Sequence, residues 1–149
     1  MSIGEFCNRS VVTALRTTSV AEAASLMRSQ HVGTVIVVDE VDGRRRPVGI
    51  VTDRDIVVEV VAAGVDPQLV KIGDLMTSGL ATIGEDAGFG ETIREMSLRG
   101  FRRMPVVDRA GALVGIVTAD DVLHHLASPL AALSDLAGRS RRMEAATRK

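Results

Sequence analysis

Aromatic residues are nearly missing from this chain: three Phe, no Trp and no Tyr among 149 residues, 2% in all. Single-stranded nucleic-acid binders stack bases on aromatic platforms, so this composition argues against that class. It also means that a core must be filled by Val, Ile, Leu, Ala and Met. Cysteine is as scarce. Cys7 stands alone, which excludes an intramolecular disulfide and a thiolate metal cage and fits a reduced compartment. No run approaches the ~18 apolar residues of a membrane span. Met1–Phe6 lacks the basic and apolar regions of a signal peptide. These absences predict a cytoplasmic protein. There is no excess of one charge either: the net charge is −1, so no global basic field invites nucleic acid or membrane.

What is present is 46% hydrophobic and 25% charged residues, the proportions of a soluble globular protein. The length allows one ordinary domain or two very small ones sharing a core. Charge is uneven along it. From Gly138 to Lys149, five basic residues (Arg139, Arg141, Arg142, Arg148, Lys149) face one acid, Glu144, a balance of +4 that leaves −5 for the rest.

A search for internal repeats is the informative step. At a shift of 69, Ile3-Gly4-Glu5-Phe6-Cys7 falls on Ile72-Gly73-Asp74-Leu75-Met76, and Val37-Val38-Asp39 on Val106-Val107-Asp108. Three extra residues in the Glu40–Pro47 stretch change the shift to 66. Val48-Gly49-Ile50-Val51-Thr52 then returns as Val114-Gly115-Ile116-Val117-Thr118, and Asp55 meets Asp121. Colinear matches with one gap in a turn-like segment mark a duplication.

Each copy reads as a short strand, a helix, two strands and a helix. The first has a strand over Val12–Ala14. Helix Val20–Gln30 follows, opened by a Ser19/Glu22 capping box. Strand Thr34–Val38 is apolar throughout, a pattern of burial on both faces. Asp42-Gly43 is a hairpin signal, Pro47–Val51 the partner strand, and Asp53–Ala63 a helix ended by Gly64. The second has a strand over Ala81–Ile83, helix Phe89–Arg99, strands Met104–Asp108 and Leu113–Val117, and helix Ala119–Ala127. A unit of about 60 residues buries only ~60% of its unfolded surface. Two units packed sheet to sheet with pseudo-two-fold symmetry solve that. The expected class is α+β, with unit 1 at 3–65, unit 2 at 66–127, and a C-terminal helix and basic tail at 128–149. Ser128-Pro129 reads as the start of that separate helix, and Arg139–Lys149 as its fraying end.

The repeated Gly-Ile-Val-Thr-x-x-Asp carries the chemistry. In both copies it crosses from a buried strand into a helix N-terminus, with Thr52 and Thr118 at the N-cap. Free backbone N–H groups there favour a phosphate. Asp55 and Asp121, three residues on, could accept from ribose hydroxyls. Gly49 and Gly115 permit close approach of a backbone or a ring. Thr followed by Asp at that spacing is equally a plain cap. No nucleophile–base set, metal-ligand cluster or Walker-type phosphate loop is found; His124 and His125 lack the i, i+4 spacing of a metal pair.

These residues resemble a tandem pair of CBS domains, the Bateman module. The resemblance rests on Gly-Ile-Val-Thr-Asp-Arg-Asp, Gly-Ile-Val-Thr-Ala-Asp-Asp, Met-Pro-Val-Val-Asp at 104–108 and Asp-Leu-Met at 74–76, and covers residues 3–127. It implies a disc-shaped pair with two pseudo-symmetric clefts that take an adenosine ligand: AMP, ADP, ATP, NAD or S-adenosylmethionine. It places Asp55 and Asp121 on the ribose and Thr52 and Thr118 near the phosphate. It further implies that Thr13, Ala14, Thr82 and Ile83 read the adenine edge, and that Gly33, Thr34, Val35, Arg102, Arg103, Met104 and Pro105 line the clefts. Arg102 and Arg103 suit a phosphate or are solvated strand-edge charge. With Gly33 and Thr34 in their place in copy one, the clefts should differ in phosphate affinity. Arg54 lies inside the first signature.

The expectation is a stand-alone, non-enzymatic regulatory sensor without a catalytic cofactor or metal. It signals to an unidentified protein partner and forms a homodimer through Val57, Val58, Val60, Val61, Leu123 and Leu126. With so few aromatics, an adenine would lie between aliphatic side chains and backbone edges. The alternatives are a nucleic-acid binder using the basic tail and a small enzyme with an unrecognised site.

Overall fold

The computed structural model describes residues 1–77 and 79–147; Ser78, Arg148 and Lys149, the last two part of the expected basic tail, lie outside the described residues. The chain falls into two compact parts, Met1–Val117 and Thr118–Lys149.

The first part holds two three-stranded sheets. In one, β1 (Thr13–Leu15) runs parallel to β2 (Thr34–Val41), which pairs antiparallel with β3 (Arg44–Thr52). In the other, β4 (Ile83–Gly84), β5 (Arg103–Val107) and β6 (Leu113–Thr118) repeat the order. Ala14 lies opposite Val37 and Ile83 opposite Val106, so the duplication preserves register. β2 is covered on both faces, with Val35, Ile36, Val37 and Val38 at most 2% exposed. Its continuous β-branched run is the sequence form of that environment. The fold is α+β, as the sequence predicts.

Helix α1 (Val20–Gln30) starts on the predicted box: Glu22 N–H donates to Ser19 Oγ at 3.2 Å and Ser19 N–H to Glu22 Oε2 at 2.8 Å. It ends at His31, whose φ of 54° is left-handed; the equivalent residue after α4 (Phe89–Arg99) is Gly100, with φ 67°. A side chain in that conformation costs about 1–2 kcal/mol, against roughly 0.5–1 kcal/mol for the added freedom of an unfolded glycine. His31→Gly should therefore stabilise the fold by up to about 1 kcal/mol, read as a higher urea midpoint with an unchanged slope.

At Asp42-Gly43 both φ angles are positive, 52° and 71°, as a tight hairpin demands. Helix α2 (Asp53–Ile56) passes at once into a π-helical stretch, Val57–Val61, closed by Ala62 N–H on Val57 O at 2.9 Å. Periodicity predicts one α-helix over these residues; four crowded Val side chains accompany the wider turn.

The leading segments of the two copies are exchanged. Ile3 N–H donates to Ala87 O (2.8 Å) and Gly4 N–H to Glu85 O (2.9 Å), while Asn8 and Ile116 exchange two bonds of 2.9 Å. Reciprocally, Ile72 N–H donates to Thr18 O (2.9 Å), Gly73 N–H to Arg16 O (3.0 Å) and Thr77 N–H to Ile50 O (3.4 Å). Phe6 meets Phe89 edge to face at 5.3 Å. Helix α3 (Ile72–Leu75) accordingly puts Ile72 into the core of copy one, with Val20, Ala23, Met27, Val35 and Val51. Each copy thus completes the other.

The second part is one helix, α5 (Ala119–Thr147), with Pro129 inside it. The helix runs through the predicted break at Ser128-Pro129, and the described part of the expected fraying end, residues 139–147, is helical. Proline removes one N–H and disfavours the helix interior, yet the Ala- and Leu-rich flanks carry the helix through.

Candidate functional site

Both signature motifs form capping boxes. At the start of α2, Thr52 N–H donates to Asp55 Oδ2 (2.8 Å) and Asp55 N–H to Thr52 Oγ1 (3.2 Å). At the start of α5, Thr118 N–H donates to Asp121 Oδ2 (3.0 Å), its hydroxyl to the same oxygen (2.7 Å), and Asp121 N–H to Thr118 Oγ1 (3.1 Å). The plain-cap reading of the motif is therefore realised twice. A cap does not consume the carboxylate, because Asp55 Oδ1 takes no part in it.

Thr52 also lines a pocket of about 190 Å³ that draws on both copies. Copy one supplies Ile50 and Thr52 from the end of β3. Copy two supplies Thr77, Gly79, Leu80 and Ala81 before β4, and Gly100, Phe101, Arg102 and Arg103 leading into β5. Three predicted site residues meet here: Thr52, Arg102 and Arg103. Phe101, one of the three aromatic rings, also lies in the lining. The signal was its place next to Arg102; Ile50, Thr77, Gly79, Leu80 and Gly100 gave none beyond their position in the motif or loops.

The remaining predicted residues are distributed as follows. Thr13 and Ala14 are on β1 and Ile83 on β4, Ala14 and Ile83 buried; Thr82 is exposed just before β4. Met104 and Pro105 are buried in β5. Gly33 precedes β2, its carbonyl accepting from Asp53 N–H at 3.1 Å. Thr34 and Val35 begin β2. Val35 is fully buried, and Thr34 Oγ1 is buried with no hydrogen-bond partner among the described residues. Arg54 is exposed. Gly49 and Gly115 are buried at the strand centres, where a Cβ would meet Met76 and Cys7 respectively. The close approach they permit is to the exchanged leading segments, a partner that the duplication did not reveal.

A second hollow, of about 100 Å³, is lined by Arg9, Val11, Thr13, Arg45, Leu113 and Val114. Arg45, exposed on β3, donates to Thr13 Oγ1 at 3.2 Å. Elsewhere the electrostatics are those of structure. The Ser19 backbone N–H holds the Glu22 carboxyl below its ordinary value, and the Arg16 hydrogen bond does the same for Asp39. Burial pushes the Cys7 thiol up. Among the described residues no group of His, Cys, Asp or Glu could hold a metal, and no helix is long and apolar enough to cross a membrane.

With this geometry in place, comparison with known proteins is direct. The profile of the CBS domain matches residues 3–62 and again 72–128. An uncharacterized protein of Methanopyrus kandleri is 40% identical over 123 residues, 83% of this chain; the match spans 61% of that protein, less than two thirds of its length. A CBS domain pair crystallised with 5′-methylthioadenosine and S-adenosyl-L-methionine superposes with TM-score 0.73 at 26% identity, covering 87% of this chain and 98% of that one. The cytosolic domain of the Mg²⁺ channel MgtE, crystallised with ATP, superposes with TM-score 0.70 at 30% identity, over 83% and 48% of the two chains.

Proposed function

The chain belongs to the CBS domain family, of which it carries two tandem copies, and from that premise we propose that it is a regulatory module binding an adenosine-containing ligand between them. The observation that carries this reading is the meeting of Thr52 with Arg102 and Arg103 in one pocket supplied by both copies. Two guanidinium groups and a capping hydroxyl suit a phosphate or another anionic group. Asp55 holds the ribose through the oxygen its cap leaves over. Ile50, Leu80 and Phe101 offer the base an apolar bed. The related structures with S-adenosylmethionine, methylthioadenosine and ATP support the ligand class. The volume is below the ~300 Å³ of usual small-molecule sites, so a nucleotide either opens the pocket or keeps part of itself in water. Asp121 is the second candidate ribose carboxylate, and Gly33 and Thr34, standing where copy two has arginines, make the clefts unequal.

On this reading the protein binds rather than catalyses. It works in the cytoplasm as a homodimer and passes the ligand state to a partner protein by a change in the order or angle of its elements. That change is limited by the ligand's differential affinity for the two states.

Thermal shift against AMP, ADP, ATP, NAD and S-adenosylmethionine tests it. A ligand at 100 times its Kd adds ~2.7 kcal/mol. Asp55→Ala should lower the unliganded Tm slightly, through the lost cap, and remove the ligand-induced increment of one site. No increment from any of the five at millimolar concentration refutes the reading. Full stoichiometry in both Asp55→Ala and Asp121→Ala refutes the ribose assignment.

A further inference from the structure

Helix α5 runs well past the second family match, which ends at residue 128. Along it, Leu123, Leu130, Leu133, Leu136 and Met143 are 59–72% exposed, and Leu126 is 37% exposed. At 100° per residue, Leu123, Leu126, Leu130, Leu133 and Ala137 fall within about 80° of arc, and Leu136 and Met143 widen the stripe on one side. An apolar face of this length on an otherwise polar helix marks an interface.

The charges select the occupant. Residues 119–135 contain Asp120, Asp121 and Asp135 and no Lys or Arg, whereas residues 136–147 contain Arg139, Arg141 and Arg142 against Glu144 alone. The helix is acidic at its start, apolar in the middle and basic at its end. Such a surface is self-complementary under a two-fold axis. We propose that α5 pairs antiparallel with α5 of a second copy of this chain.

In that pairing Leu130 lies opposite the partner's Leu133, Leu126 opposite the partner's Ala137, and the basic end of each helix lies alongside the acidic start of the other. Leu meets Leu at the centre and Leu meets Ala beyond it, while Asp121 and Arg142 lie on the outer sides and contribute only through the opposite charge of the two ends. A parallel pair would set three arginines against three, which like-charge repulsion disfavours. The proposal rests on the homodimer reading only for the presence of a second copy.

The test uses the full chain with Cys7→Ser and one nitroxide, at Ser134→Cys or at Ala145→Cys, measured by pulsed electron resonance at tens of micromolar. With 1.5 Å of rise per residue, antiparallel pairing predicts a distance under about 25 Å for the first label and about 40 Å for the second. Leu130→Glu with Leu133→Glu should abolish both distances and leave the ligand-induced Tm increment in place. Two short distances overturn the antiparallel arrangement. A dimer with both labels far apart overturns the pairing and leaves the homodimer standing. A monomer overturns both. A monomer that sediments with anionic vesicles instead assigns the stripe to lipid.

Discussion

Ile3→Ala is expected to lower the unfolding free energy by about 2–5 kcal/mol, the usual cost of truncating a buried Ile, and Ile72→Ala to match it. Position argues otherwise for Ile3, since residues this close to a terminus normally tolerate change. Burial decides the matter. Both side chains are fully buried, and each backbone N–H is bonded across to the other copy, Ile3 to Ala87 and Ile72 to Thr18. The loss includes the transfer term and the cavity left behind. Because each residue is fully buried with its backbone bonded to the opposite copy, either substitution should shift one cooperative transition rather than split it. Urea denaturation followed by circular dichroism measures this. A loss below about 1 kcal/mol for Ile3, with a full loss for Ile72, would show that the first leading segment is not docked in solution.

The second large effect is at the strand glycines. A Cβ on Gly115 would stand 2.9 Å from Asn8 O, besides meeting the Cys7 thiol. That carbonyl is held by Ile116 N–H and cannot retreat without losing the Asn8–Ile116 pair. A Cβ on Gly49 meets Met76, a flexible side chain, including its Cβ and Cγ at 2.8 Å. Overpacking of this kind costs about 1–3 kcal/mol. Gly115→Ala and Gly49→Ala should both destabilise within that range, and rescue separates them. Met76→Ala should restore part of the stability of Gly49→Ala, because the sulfur and Cγ contacts go while the Cβ at 2.8 Å stays. Cys7→Ala should restore little of Gly115→Ala, because the backbone oxygen remains. Equal rescue in both pairs would mean that side chains alone, not the carbonyl, set the constraint.

The contrast between these positions shows what a sequence can and cannot express. The duplication, both Thr–Asp caps and the hairpin at Asp42-Gly43 are legible because each follows from local residue chemistry or from a pattern repeated along the chain. The exchange of leading segments is not. Ile3-Gly4 and Ile72-Gly73 are the same motif, so either could serve either sheet, and only packing selects the crossed arrangement. For the same reason Gly49 and Gly115 announce a close approach but not to what. Pro129 misleads because its local penalty is real but smaller than the preference of its neighbours for helix. At the candidate site, Thr52, Arg102 and Arg103 are legible from chemistry and resemblance. Ile50, Gly79, Leu80 and Phe101 enter only because two copies fold around one space, which no local pattern encodes.

The crossed segments bear on how such a chain could have arisen and how it folds. A chain of one copy could lay its leading segment on its own sheet or trade it with a second molecule, and the crossed arrangement seen here corresponds to the trade. Joining two copies turns that bimolecular trade into an intramolecular one, at the millimolar effective concentration typical of a short tether. It also makes folding depend on contacts between residues far apart in sequence, Ile3 with Ala87 among them. Closing such loops is slow, so this small protein should fold more slowly than its helices and hairpins suggest, and neither half should persist while the other is missing.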